Sequence, residues 1–256
     1  MFRPRVIPVL LLQNGGLVKT VRFSSPVYVG DPINAVKIFN DLEADELVFL
    51  DIMASKEGRT ISSELVKQIG DEAFMPFSVG GGITDVGQAA EIVALGAEKV
   101  ILNTAAFESP ELVSQCAELL GSQSVMVSID VKKRQNNSYE VFIRGGAYAT
   151  GSGPVEVAKK AEVLGAGEIM VNSIDKDGTR EGYDVDLIRM VADSVSIPVI
   201  ACGGAGNLDH LVEGYRLGHA SAVAAGSIFV FVGRKHGVLI NYPDRLELEE
   251  LFRTEV

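Results

Sequence analysis

Short apolar runs and stretches of helical period take turns along the whole chain. The runs Val6–Leu11, Leu47–Asp51, Phe77–Val79, Lys99–Asn103, Val125–Asp130, Ile169–Asn172, Val199–Ala201 and Ala222–Ala225 read as strands, too short for helices and apolar enough to be buried on both faces. Between them, segments near 32–43, 60–70, 85–95, 110–120, 154–164, 184–194, 207–217 and 243–252 carry the helical pattern. Asp31-Pro32, Ser109-Pro110 and Gly153-Pro154 each put a proline where a first helical turn tolerates it. Eight strands alternating with eight helices predict parallel strands covered by helices, closed into one (β/α)8 barrel over residues 1–256. The longest stretches with neither pattern, Gln13–Gly30 and Lys132–Gly153, follow the first and fifth strands and are expected to be irregular loops.

The second half of the pattern repeats the first. Glu46-Leu-Val-Phe-Leu answers to Glu168-Ile-Met-Val-Asn, Pro76 to Pro198, Gly81-Gly82 to Gly203-Gly204 and Leu95-Gly96 to Leu217-Gly218, always 122 positions on. That period far exceeds those of solenoids and propeller blades, so the reading is two duplicated half-barrels, about 1–122 and 123–256. Each half is then expected to bring a similar binding element to one shared mouth.

Composition narrows the class of function. Apolar residues make up 47% of the chain and charged residues 22%, values that suggest neither disorder nor a membrane span. The apolar run after Arg3 and Arg5 is short, contains Pro8 and leads into Gln13-Asn14-Gly15-Gly16, so it reads as a strand rather than a leader. A net charge of −11 argues against general nucleic-acid binding, which needs a basic face. Cys116 and Cys202 are too few for a disulfide framework or a zinc site, and a cytoplasmic home is expected.

In such barrels the carboxyl ends of the strands carry chemistry. There the third strand runs into Gly80-Gly81-Gly82 and the fourth ends at Asn103-Thr104. In the second half the seventh runs into Gly203-Gly204-Ala205-Gly206 and the eighth ends at Ala225-Gly226-Ser227. Glycines let backbone approach a ligand, and a following helical turn offers free N–H groups to an anion. Two such cradles, the second aided by Asp177-Gly178-Thr179, fit a long substrate with a phosphate at each end; the same glycines also serve tight turns. Asp130, Asp51, Asp175 and Asp177 stand at or beyond strand ends and are the acid–base candidates, although an aspartate there can also simply tie down a loop. His210, His219 and His236 lie away from strand ends, so neither histidine catalysis nor a metal site is expected, and no motif calls for a cofactor.

At the opposite end, Arg5, Glu46, Lys99 and Glu168 each immediately precede the core of a strand. Two positive and two negative charges crowded beside a core must pair, and paired they plug the lower mouth.

Glu46-Leu-Val-Phe-Leu-Asp51, Val79-Gly-Gly-Gly-Ile83, Asn103-Thr104, Ser173-Ile-Asp-Lys-Asp-Gly-Thr179 and Gly203-Gly-Ala-Gly206 together resemble the HisF family, the cyclase subunit of imidazole glycerol phosphate synthase. The resemblance spans all eight strands. It implies a barrel that receives ammonia from a HisH-type glutaminase and turns a phosphoribulosyl aminoimidazole carboxamide ribonucleotide into imidazole glycerol phosphate. It further implies that Gly82, Asn103 and Thr104 form one phosphate site and Gly178, Gly203, Gly204, Gly226 and Ser227 the other. Lys19, in a mobile loop after the first strand, would close over substrate. Arg5, Glu46, Lys99 and Glu168 would form the ammonia gate, with Asp45 and Glu98 on the docking surface.

One position departs from the pattern. HisF cyclases use an aspartate at the end of the fifth strand, matched by Asp130, and another at the end of the first, where this chain has Leu11. The internal repeat sets Leu11 opposite Asp130 independently. Leucine moves no protons. With Lys19-Thr-Val-Arg-Phe23 and Gly237-Val-Leu-Ile-Asn-Tyr-Pro243, this resembles a side branch of the family that serves acetamidino modification of sugars in bacterial surface polysaccharides. That branch is implied to pass ammonia to an amidotransferase acting on a nucleotide-linked sugar. Three readings follow: an ammonia-handling subunit of that branch, a histidine-pathway cyclase with a substitute base, and a non-catalytic activator of a glutaminase.

Overall fold

The structure, a computed structural model, describes residues 3–233 and 237–253; His236 lies outside the described residues. Eight parallel strands form its centre: β1 (Arg5–Gln13), β2 (Leu47–Asp51), β3 (Phe77–Gly80), β4 (Lys99–Leu102), β5 (Val125–Lys133), β6 (Glu168–Ser173), β7 (Val199–Cys202) and β8 (Ala222–Ala225). Each pairs with its neighbours in sequence order, and β8 returns to β1, so the sheet closes on itself. The outer ring is α1 (Pro32–Asp41), α2 (Ser63–Glu72), α3 (Val86–Ala94), α4 (Glu111–Leu120), α5 (Pro154–Val163), α6 (Val185–Ala192), α7 (Leu208–Arg216) and α8 (Arg245–Leu251). The chain is a (β/α)8 barrel.

Period-two alternation sorts each strand between two cores. Val6, Leu10, Leu47, Phe49, Val100 and Val127 face the helices. Ile7, Val9, Val48, Ile101, Met126, Met170 and Ile200 fill the barrel axis, with Leu11 and Leu50 packed above them.

Local chemistry sets the helix starts. Asp31, Ser62, Asp85, Asp184, Asn207 and Asp244 each accept a hydrogen bond from the backbone N–H three residues on. The Ser62 cap starts α2 at Ser63, later than the expected 60. Pro32 and Pro154 open α1 and α5 as expected, whereas Pro110 stands one residue before α4. Short helices also occur at Ala54–Glu57 and Thr104–Glu108, and a 3-10 turn at Ser227–Phe229.

The two expected loops are instead ribbons. Gly16–Val21 and Ser24–Gly30 form an antiparallel pair extending β1, through Leu11 opposite Val18 and Leu12 opposite Leu17. Tyr139–Ile143 pairs antiparallel with β5 and then with Tyr148–Ala149. The first ribbon turns at Arg22 and Phe23, both in the left-handed region at φ 52° and 60°, without the Asn-Gly signature that normally betrays such a turn. Lys19 is therefore on a strand and buried, not in an irregular loop.

Candidate active site and lower charged ring

The carboxyl ends of the strands surround a cavity of about 490 Å³. Leu11, Asp130, Asn172 and Cys202 all line it. Asn172 is in register with both Asp130 on β5 and Cys202 on β7. Asp130 sits between two amides: Asn103 Nδ2 donates to its Oδ2 at 3.1 Å, and Asn172 Nδ2 to its Oδ1 at 3.4 Å. Asn103 Nδ2 also reaches the Ser128 carbonyl at 2.9 Å. Burial pushes the Asp130 carboxyl up to about 7, Asp177 pushes the same way, and the two amides work against both.

Lys19 reaches in from the first ribbon and donates to the Val9 carbonyl. Burial lowers its ammonium to about 8, against the pull of Asp177. Asp177 accepts from Thr20 Oγ1 at 3.2 Å, and burial raises its carboxyl despite the Lys19 charge. Arg22 fastens the ribbon tip to the loop after β6, its backbone N–H on the Asp177 carbonyl at 2.9 Å and its Nε on the Asp175 carbonyl at 3.1 Å.

Asp51 and Asp175 are occupied differently. Asp51 Oδ1 accepts from the Met53 and Ala54 N–H groups, and its Oδ2 pairs with Arg59 at 2.6 Å, so it organises the turn after β2. Asp175 accepts from the Lys133 N–H at 2.8 Å and ties the loop after β6 to β5; it does not line the cavity.

The glycine-rich elements stand across the mouth from one another. Gly82, Asn103 and Thr104 line one wall, and Gly178, Gly203, Gly204, Gly226 and Ser227 line the other. Gly82 answers a packing demand as well: at φ 64° a Cβ there would lie 1.9 Å from the Arg59 carbonyl oxygen. Thr104 Oγ1 accepts from the Arg144 N–H at 3.0 Å, which ties this wall to the second ribbon. Asn172, Thr20 and Arg59 are the site residues that sequence reasoning missed. A polar residue on the inward register of an otherwise apolar strand was the available signal for Asn172.

At the amino ends of the strands, four charges close a ring around the axis. Arg5 bridges Glu46 and Glu168, while Lys99 Nζ lies 3.3 Å from Glu46 Oε1 and 3.7 Å from Glu168 Oε2. Ser78 Oγ donates to Glu46 Oε1 at 2.7 Å, and Glu46 is only 1% exposed. Asp45 is paired with Arg3 and accepts from the Val6 N–H, whereas Glu98 is exposed beside the ring. Of the histidines, His210 caps the Gly206 N–H and His219 meets Asp193; neither joins the cavity.

A family profile described as histidine biosynthesis protein matches residues 5–234. A protein of Leptospira borgpetersenii provisionally named imidazole glycerol phosphate synthase subunit HisF is 48% identical over 253 residues, 98% of this chain and 100% of that one. The chain belongs to the HisF family. Further HisF relatives bear numbered names under the same provisional title. The hisF2 subunit of Pseudomonas aeruginosa is 48% identical, covering 97% of this chain and 99% of its own, and the hisF3 subunit of Vibrio vulnificus is 47% identical, covering 96% and 95%. In this HisF-type barrel the cavity and the charged ring occupy opposite ends of one axis. At the cavity end, β5 offers Asp130 and β1 offers Leu11.

Proposed function

We propose that this chain is the ammonia-accepting subunit of a glutamine-dependent synthase, in the branch that serves acetamidino modification of a nucleotide-linked sugar. The observation that carries the reading is Leu11. It faces the cavity across from Asp130, at the place where a cyclase needs its second proton carrier. A HisH-type glutaminase would dock on the amino-terminal face, where Arg5, Glu46, Lys99 and Glu168 act as the gate. Glutamine hydrolysis there releases ammonia, which in neutral form crosses an axis lined by apolar side chains at a far lower desolvation cost than ammonium would pay.

At the upper end Asp130 manages the proton. Ammonia that picks up a proton in the polar cavity passes that H⁺ on to the carboxylate, leaving neutral ammonia and a carboxylic acid, and a group near 7 exchanges the proton freely at physiological pH. Lys19 and Asp177 share the second wall and would set the charge felt by an anionic ligand there; Asp51 acts by holding the first wall. Gly82, Asn103 and Thr104 would hold one phosphate, and Gly178, Gly203, Gly204, Gly226 and Ser227 the other.

The histidine-pathway cyclase remains the second reading, favoured by the presence of both walls in one cavity. A pure activator of the glutaminase, coupling through differential binding alone, is the third. Reconstitution with a glutaminase and a sugar amidotransferase separates the first from the third. Asp130→Asn should slow glutamine-driven amidine formation at least tenfold while glutamine hydrolysis continues, whereas full amidine formation by the variant would leave only an activator.

A further inference from the structure

Asn172 has a feature that a passive wall residue would not need. The residue is 6% exposed, with Nδ2 donating to Asp130 and Oδ1 buried without a hydrogen-bond partner. An orphaned buried acceptor carries a desolvation penalty that no hydrogen bond offsets. A Cβ built on Gly203 would lie 2.4 Å from Asn172 Oδ1, 2.8 Å from the Ser173 carbonyl oxygen and 3.1 Å from the Ser173 nitrogen, so the amide oxygen and the Ser173 backbone border the same point. At φ 84°, and with so little room, position 203 suits glycine alone, and that glycine seats the Asn172 amide as well as shaping the wall.

Turning the amide by 180° reverses both relations. Nδ2 would then face the Ser173 carbonyl, which also accepts from the Lys176 and Asp177 N–H groups, and Oδ1 would face Asp130. The turned pose suits Asp130 only in its acid form, whose O–H donates to the amide oxygen; the observed pose suits the carboxylate. Asn103 cannot do the same. Its Nδ2 is shared between Asp130 and the Ser128 carbonyl, and its Oδ1 accepts from Thr104 Oγ1 at 3.3 Å, so its orientation is fixed.

We infer that Asn172 is the positioning residue of Asp130, an amide that turns over as Asp130 gains and loses its proton and so offers a matched partner to each state. The inference deepens the reading of Asp130 as the proton carrier and rests on it for its purpose, though not for its physics. Asp130 is thereby given a partner for both protonation states in a site whose first strand supplies Val9 and Leu11 and no titratable side chain.

The test is an NMR titration of the whole chain, with carboxyl-labelled aspartate and side-chain-labelled asparagine. Asp130→Asn and Asn172→Leu assign the two signals. The Asn172 amide resonances should move with the same midpoint as the Asp130 carboxyl, and those of Asn103 should move far less. Asn172→Leu removes a donor to the carboxylate, so the Asp130 midpoint should rise by about one pH unit. Asn172 resonances that stay still through the Asp130 titration would overturn the inference in the wild-type chain alone, whatever the folding of the variant. The proposed function fails separately, if Asp130→Asn leaves amidine formation intact.

Discussion

At the scale of single residues, burial sets the chemistry of the mouth. Asp130 gains its proton affinity chiefly by losing water, and Lys19 loses its own the same way. If Asp130 works as a carboxylate and Lys19 as an ammonium, amidine formation should follow a bell with limbs near 7 and 8. Lys19→Met should abolish the alkaline limb in a pH–rate measurement. Stability carries the same signature. Because the folded Asp130 carboxyl lies above its unfolded value, folded chains hold the extra proton between about 4 and 7, and that contribution is lost as pH rises. Denaturation of Asp130→Asn should therefore show an advantage over wild type that grows by on the order of 2 kcal/mol between pH 5 and pH 8. A constant difference would mean that Asp130 is not buried as a carboxyl. Asp130 itself was legible in the sequence, as a charge terminating an apolar run. The amides around it were not, because their pairing joins β4, β5 and β6 through registers that sequence does not print.

At the scale of elements, the ribbons and the lower ring show what pattern reading reaches and what it misses. Leu17-Val18-Lys19-Thr20-Val21 is a strand hidden by its context, since Gly15-Gly16 precedes it and its turn uses Arg22 and Phe23. Tyr139–Ile143 was hidden likewise behind the polar stretch that precedes it. The ring charges were legible because each directly precedes an apolar run, and the strand alternation then aims all four at the axis. Within the ring the contacts are unequal. Arg5 touches both glutamates closely, while Lys99 stands farther from each, so Arg5→Ala should destabilise by about 3 kcal/mol and Lys99→Ala by about 1 kcal/mol in chemical denaturation. If the ring is a gate, Lys99→Ala should still change glutamine turnover in the assembled complex severalfold. Turnover untouched by that substitution would reduce the ring to a structural plug.

At the scale of the molecule, closure of the barrel was foreseeable from the count of apolar runs. Strands covered on both faces read as unbroken apolar segments, and eight of them separated by capped helices have one economical arrangement. The family was readable too, because its motifs fall at strand ends where packing does not dictate Asn103, Thr104 or Ser227. Under the proposed function, what the barrel does with ammonia turns on Leu11, where this HisF-family barrel has no carboxylate across from Asp130. The most direct measurement is ring closure by the purified chain, supplied with the phosphoribulosyl aminoimidazole carboxamide ribonucleotide and saturating ammonium. No imidazole glycerol phosphate above the uncatalysed background is predicted. Sustained turnover that Asp130→Asn abolishes would contradict the account and make the chain a cyclase working without the second aspartate.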